Sequence, residues 1–280
     1  MNNHIRHTIK STPWLLILIF YIPILLMIAF SLNTGAGDRF ININTFDITQ
    51  ITFENYTKLP IYGPIWKWYA NTVIYSAIVG IGSGLLAISG AFAMLRMGAR
   101  ARSISLGIMV VSLAIPSTVI IIPLFMEMHY MRLSGPLAVI LKSLVVPSGI
   151  ILAWQFLKGM PEGYIESATI DGATDLQIIW NIIIPICKPV FALIVISKGV
   201  EFNGDYLWQS VNLIGKDVQT ILVGFTNQIY TSMFVTFASA ENRMNAQMAM
   251  GVAMFLPIVL IFMLGRKQLL EYTIEGGIKE

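Results

Sequence analysis

This chain carries little charge and almost no cysteine. Of its 280 residues only 12% are Asp, Glu, Lys or Arg, against 56% hydrophobic, and its mean hydropathy is +0.72. Soluble globular domains carry about 25% charged residues, so the chain lacks the polar atoms to cover a water-soluble globule. The lone Cys187 excludes an internal disulfide and reads as a small apolar filler. Histidine is scarce too: His4, His7 and His129 offer no zinc-ligand spacing within a spanning segment. Paired carboxylates, a nucleophile elbow and a Cys-His arrangement are all missing, which leaves no catalytic constellation. No GxxxxGK[ST] phosphate cradle occurs, so the chain is not expected to hydrolyse ATP. A net charge of +3 without any basic cluster interleaved with aromatics argues against nucleic acid as a partner.

Long apolar runs are what the chain has instead. A helix rising about 1.5 Å per residue needs roughly 18 to 20 apolar residues to cross about 30 Å of hydrocarbon. Runs near residues 13 to 33, 70 to 95, 103 to 127, 136 to 157, 186 to 204 and 245 to 265 meet that need. They are continuously apolar, where barrel strands would alternate in polarity. The expected fold is therefore an all-α integral membrane protein with six transmembrane helices, residues 1 to 280 forming one domain in the lipid bilayer. The first run is too long for a secretory h-region and lacks a small-x-small cleavage site, so it reads as an uncleaved anchor.

Six spans put both termini on one side, and the cations say which. With the termini inside, ten Lys and Arg residues fall inside, six outside and two, Lys142 and Lys198, within spans. The densest cluster, Arg96 to Arg102, lies in the shortest inner loop, where the preference for retained positive charge is strongest. Both termini are expected in the cytoplasm. Pro23, Pro116, Pro123, Pro147 and Pro257 fall inside spans and predict packed, kinked helices, because each removes a backbone donor. Gly80 and Gly84 form a GxxxG pair in the second span, read as generic close packing.

Between the fourth and fifth spans the chain departs from this logic over residues 159 to 185. Pro161 suits a helix start. Ile165, Ala168 and Thr169 then share one helical face. Gly172 sits where a left-handed residue would stop that helix. Thr174 with Gln177 resembles a capping box opening a second helix, whose apolar face would be Leu176, Ile179, Trp180 and Ile183. Pro185 and Pro189 then turn the chain into the fifth span. This is a helical knob, polar at its tip and apolar at its base, suited either to docking or to lying in a membrane interface.

The pattern Glu166-x-Ala168-x-x-x-Gly172, followed nine residues later by Ile182-x-Ile184-Pro185, resembles the EAA coupling loop of ABC importer permeases of type I. The form Ile170-Asp171-Gly172-Ala173 is similar to the maltose and multiple-sugar class, in particular its second permease subunit. Further matches are Asn71-Thr72, Ala91-Phe92-Ala93-Met94-Leu95-Arg96, Ile115-Pro116, Ile122-Pro123-Leu124-Phe125, Pro161 and Gly276-Gly277-Ile278-Lys279. Departures are Ser167 for alanine, Ile184 for leucine, and Phe202-Asn203 in place of a usual Trp-Asn. Leu133-Ser134-Gly135 starts like an ABC signature, but Pro136 follows and the segment lies outside, so it is coincidence.

The resemblance implies a non-catalytic permease subunit in the bacterial cell membrane, forming half of a sugar pathway. Its implied partners are a second permease subunit, two cytoplasmic ABC ATPase subunits and an extracellular substrate-binding protein. ATP and Mg would be bound by the ATPases, with no cofactor on this chain. It also implies that Glu166, Ser167, Ala168, Asp171, Gly172 and Ala173 couple to the ATPase, Glu166 meeting a basic residue there and Gly172 giving the turn. For the substrate pathway, ionisable groups at membrane depth are costly and usually face a cavity or a partner. This singles out Lys142, Lys198, Glu201 and Asp205, with Asn203 as a neutral hydrogen-bonding group and Tyr206 and Trp208 as nearby aromatic faces. The blander reading puts Asp205 and Glu201 at headgroup level and pairs Lys142 with a carboxylate. Rival functions are an importer of polyamines or another small solute, and an ion-coupled secondary transporter.

Overall fold

Two prolines decide where the apolar helices break. The computed structural model describes residues 19–34, 46–161, 163–213, 215, 217–235 and 243–277. The third predicted span is a bent pair, α3 (Ala99–Ala114) and α4 (Ser117–Tyr130), turning by 100° at Ile115 and Pro116. Proline disfavours the helical region for the residue before it, and Ile115 is indeed extended, at φ −81° and ψ 118°. The fourth span, Pro136–Lys158, is likewise interrupted between α5 (Pro136–Ser143) and α6 (Pro147–Lys158), where Val146 leaves helical geometry ahead of Pro147. At Pro123 and Pro257 the helix continues through the proline.

Among the described residues three helices are long and apolar enough to cross a membrane, or five if each bent pair is one span, against the six expected; the described helix of the first run is shorter than a span. α1 (Ile19–Ser31) covers the described part of the first, while residues 13 to 18 lie outside the described ones. α2 (Ile65–Arg96) has 32 residues, about 48 Å of helix, and so is longer than a bilayer core needs. The fifth span is α9 (Lys188–Gly204), and the sixth, Met244–Lys267, lies within α12 (Arg243–Gly277). Between them are two helices that hydropathy does not reveal, α10 (Tyr206–Leu213) and α11 (Ile221–Val235). The hinge supplies α7 (Gly163–Ile170) and α8 (Asp175–Ile186). Among the described residues the β structure is one isolated bridge, Asn33 with Ile51.

Packing groups the chain into two units. The first comprises Met1–Trp66 and Gly224–Leu256. Here Asn55 ties the end of α1 to the segment after it, and Asn245 ties it to α12. Asn55 donates from Nδ2 to the carbonyls of Ser31 and Asn33 at 2.9 and 3.0 Å, and Asn245 donates to the same Asn33 carbonyl. The described residues after residue 46 form short helical turns at Ile48–Gln50, Glu54–Thr57 and Leu59–Tyr62.

The second unit comprises Lys67–Val223 and Pro257–Glu280 and holds two apolar clusters. One gathers Ala87, Ile88, Ala91 and Phe92 of α2, Ala153 and Leu157 of α6, Val190 and Ile194 of α9, and Ile178 and Ile183 of the hinge. The other, nearer the far end of α2, gathers Tyr75, Val79, Val139, Phe202, Trp208 and Leu213. Small residues set the α2–α9 approach: a Cβ on Gly80 would lie 2.9 Å from the Val195 carbonyl oxygen, and one on Gly84 would lie 2.6 Å from the Phe191 ring. The GxxxG pair therefore has an identified partner helix. Asn71 and Thr72 fasten the chain entering α11: Asn71 Nδ2 donates to the Gln219 carbonyl, and Thr72 Oγ1 accepts from the Ile221 amide, both at 2.9 Å. The hydroxyl acts there as an N-terminal cap supplied by a distant helix.

Candidate coupling hinge and transmembrane cavity

The hinge is built by local hydrogen bonding at its turn and by burial at its base. α7 ends in a Schellman motif: the Gly172 amide donates to the Thr169 carbonyl at 3.1 Å, and the Ala173 amide to the Ala168 carbonyl at 3.0 Å. Gly172 has φ +80°, the left-handed conformation that a Cβ disfavours. Two residues on, Thr174 Oγ1 accepts from the Gln177 amide and Gln177 Oε1 from the Thr174 amide, a complete capping box. Pro161 stands before the helix rather than in it, since α7 starts at Gly163.

The buried face of α8 differs from the one that 3.6-residue spacing predicts. Leu176 and Trp180 are 69% and 57% exposed, whereas Ile178 and Ile183 are buried. The cause is a π-helical turn over Ile179–Ile183, in which the Ile184 amide donates to the Ile179 carbonyl five residues back. Widening the turn brings residues five apart onto one face, so Ile178 and Ile183 align against the core. At Cys187, itself buried, the chain turns by 84° into α9.

Magnitudes identify what holds the knob. Ile178 and Ile183 are essentially fully buried, and each contributes about 1.5–3 kcal/mol by burial. Ile165, Ala168, Ala173 and Ile179 pack on the same cluster. Arg96, at the end of α2, reaches Asp175 at 3.0 Å, but the pair is 43% and 67% exposed, and exposed pairs are worth about 1 kcal/mol or less. The apolar base carries the stability, and the ion pair orients. That base is shared with α2, α6 and α9, so the knob packs against three spans at once.

The predicted coupling residues fall on both sides of this division. Glu166, Ser167, Asp171 and Gly172 are exposed, whereas Ala168 and Ala173 are half-buried and face the core. Exposed beside the polar group are four large apolar side chains, Tyr164, Ile170, Leu176 and Trp180, with Ile170 at 85%. Thr169 is exposed, its hydroxyl donating to the Ile165 carbonyl at 2.7 Å.

The pathway candidates separate into a group of three and an outlier. Lys142, Glu201 and Asp205 line one cavity of about 420 Å³, together with Lys198. Lys142 Nζ pairs with Asp205 Oδ2 and lies 5.8 Å from the centre of the Trp208 ring. Lys198 pairs with Glu201 at 2.9 Å. Asn203 is not in the wall. It is buried, and its amide donates to Ser76 Oγ at 2.8 Å and to the Gly199 carbonyl at 2.7 Å, joining α9 to α2. Trp208 is fully buried, with Nε1 donating to the Ala138 carbonyl at 3.3 Å, so its face is closed to a sugar. A second cavity of about 220 Å³ shares Lys198 and Glu201 with the first.

The discontinuities of three helices meet at the larger cavity: Ile115 at the α3–α4 bend, Val145 between α5 and α6, and Asp205 after α9 all line it. Sequence reasoning found the prolines but could not bring the breaks together. Irregular backbone at membrane depth persists where it is buried in protein or lines a water-filled space.

A family model described as "Binding-protein-dependent transport system inner membrane component" matches residues 80–269, more than half of the chain. The chain belongs to this family. The matched region contains the whole hinge and all four charged residues of the cavity. Over 239 residues the chain is 26% identical to the arabinooligosaccharides transport system permease protein AraQ of Halalkalibacterium halodurans, covering 84% of this chain and 82% of that one. It is 26% identical over 292 aligned positions to the maltodextrin transport system permease protein MalD of Streptococcus pneumoniae, covering all of both. Its fold matches a crystal structure of a bacterial ABC transporter involved in import of the acidic polysaccharide alginate, with a TM-score of 0.78, 21% identity and coverage of 95% and 98%.

Membership establishes a multi-pass cell-membrane protein, a non-catalytic transport component that operates with a substrate-binding protein, a partner permease and an ATPase. It sets aside the ion-coupled secondary transporter.

Proposed function

We propose that residues 1 to 280 act as one permease domain that forms half of the pathway of an ATP-driven carbohydrate importer. The hinge at residues 159 to 185 seats on a cytoplasmic ATPase and converts closure of an ATPase pair into movement of α2, α6 and α9. The single observation that carries this reading is a knob closed by a Schellman turn and a capping box, exposed at its tip and buried at its base in the core of three spans. Glu166 and Asp171 supply charge at that tip, while Tyr164, Ile170, Leu176 and Trp180 supply the apolar contact that a groove-binding helix needs. The assembly contains one second permease and two ATPase subunits, which bind ATP and Mg²⁺; this chain binds no cofactor. Both of its termini face the cytoplasm with the hinge. Carbohydrate is the cargo favoured by relatives named for arabinooligosaccharide and maltodextrin transport.

Proteoliposomes holding the assembly, given its binding protein and ATP, are expected to take up a linear neutral oligosaccharide such as an arabino- or malto-oligosaccharide. Uptake that continues without ATP but stops when an ion gradient is collapsed would contradict the proposal.

A further inference from the structure

We infer that the larger cavity is a subsite for a neutral, polyhydroxylated solute and that its ion pairs select against charged cargo. The inference rests on the carbohydrate reading above and deepens it by naming the class of sugar. An importer of an acidic polysaccharide shares this fold, so architecture alone does not set the charge of the cargo. The charges in the wall must do so.

Those charges balance. Among the described residues the ionisable side chains lining the cavity are Lys142, Lys198, Glu201 and Asp205, two cations and two anions, and each cation already holds one anion. The Lys142 and Asp205 side chains are 18% and 23% exposed, so their pairing is largely withdrawn from solvent screening. An incoming carboxylate therefore meets pairs whose fields cancel at short range rather than a free ammonium. To pair with Lys142 it would have to displace Asp205 and leave that largely buried anion unpaired, which is costly away from water. A polyamine faces the mirror problem with the lysines. Neutral hydroxyls face neither.

The same pairs leave hydrogen-bonding capacity for hydroxyls. An ammonium has three donors and a carboxylate about four lone-pair sites, more than one mutual contact consumes. Asp205 uses Oδ2 for Lys142 and Oδ1 for the Trp208 amide at 3.4 Å. Glu201 is 65% exposed in its side chain and reaches both cavities. Ser112, Ser117 and Ser143 add neutral hydroxyls to the wall. At about 420 Å³ the space is on the scale of a small-molecule site. With Trp208 turned inward, the wall offers charged hydrogen-bonding groups without that stacking platform, which suits transient holding of a sugar in passage.

The test is equilibrium binding to the complete permease–ATPase assembly in nanodiscs without the substrate-binding protein, so that its selectivity does not intervene. The probes are arabinotriose and maltotriose, the neutral polyol sorbitol, trigalacturonate and spermidine. The wild type is expected to bind a neutral probe and neither charged one. Asp205→Asn frees one cation, and trigalacturonate affinity should rise by about tenfold or more, the equivalent of one opposite charge at close range. The exchanged pair Lys142→Asp with Asp205→Lys restores balance and should again exclude the uronate, and Glu201→Gln, which frees Lys198 in the same wall, should raise trigalacturonate affinity likewise and supplies the reading if Asp205→Asn fails to assemble. Wild-type binding of trigalacturonate or spermidine as strong as that of the neutral sugars would overturn the inference, as would an assembled Asp205→Asn whose selectivity is unchanged. Binding of a neutral polyol in place of either saccharide, with charged probes still excluded, would remove the carbohydrate reading and leave the charge selection standing.

Discussion

Replacing Gly172 by proline is expected to abolish ATP-driven uptake while the chain still inserts and assembles. At φ +80° the residue occupies a region that proline, fixed near −65°, cannot enter. The same change removes the amide that donates to the Thr169 carbonyl, so the Schellman turn loses one of its two bonds. A penalty of about 3 kcal/mol would lower the population of the intact hinge roughly a hundredfold. Among the described residues no heavy atom lies within 4 Å of the position of a Cβ here, so crowding does not confuse the result. Gly172→Asn, which tolerates the left-handed region, should therefore retain most uptake, and Gly172→Ala should fall between. Uptake per assembled complex, with membrane insertion measured in parallel, checks the series. Equal loss in the asparagine and proline variants would mean that conformation is not the reason for the glycine.

The second large effect is expected at Gly80, where Gly80→Leu should prevent recovery of a folded assembly. A Cβ there would sit 2.9 Å from the Val195 carbonyl oxygen and 3.1 Å from its Cγ1. Backbone cannot rotate away, so α2 and α9 must separate, at an overpacking cost of about 1–3 kcal/mol or more. Separation would also strain the Asn203–Ser76 hydrogen bond that joins the same two helices. Gly82→Ala is the control. Its Cβ meets the end of Leu144 at 2.6 Å, a flexible tip that can change rotamer, so a smaller loss is expected. Thermal unfolding in detergent, followed by size-exclusion of the surviving complex, separates the two outcomes.

What could be read from the sequence follows physical range. Apolar runs located the long helices because crossing lipid constrains many consecutive residues at once, though three or, with bent pairs, five of them meet the length of a span where six were expected. The turn at Gly172 and the box at Thr174 were legible because capping acts over three or four residues. The face of α8 was not, since a π-helical turn over Ile179–Ile183 changes the period on which the reading depended. Pro116 and Pro147 marked broken helices, yet nothing in the sequence says that a bend of 100° would place Ile115 beside Asp205 in one cavity. Asn203 and Trp208 looked like pathway residues because polar and aromatic groups in a span suggest a ligand. Their hydrogen bonds to Ser76 and Ala138 show that they serve the packing of the spans. Helices α10 and α11 escaped because eight and fifteen residues fall short of a span, and polar residues such as Gln209 and Asn212 are buried in α10 by local partners.

The exposed tip of the hinge is expected to grip an ATPase, and site-directed cross-linking tests this most directly. Cys187 is buried, so a single Ile170→Cys substitution on a side chain 85% exposed gives a position-specific probe. In the transport-active assembly, a short bifunctional thiol reagent at this site should yield a covalent adduct with the ATPase subunit, and nucleotide should change its yield. An active assembly in which the Ile170→Cys thiol is fully modified by a small maleimide yet never joins the ATPase would contradict the account.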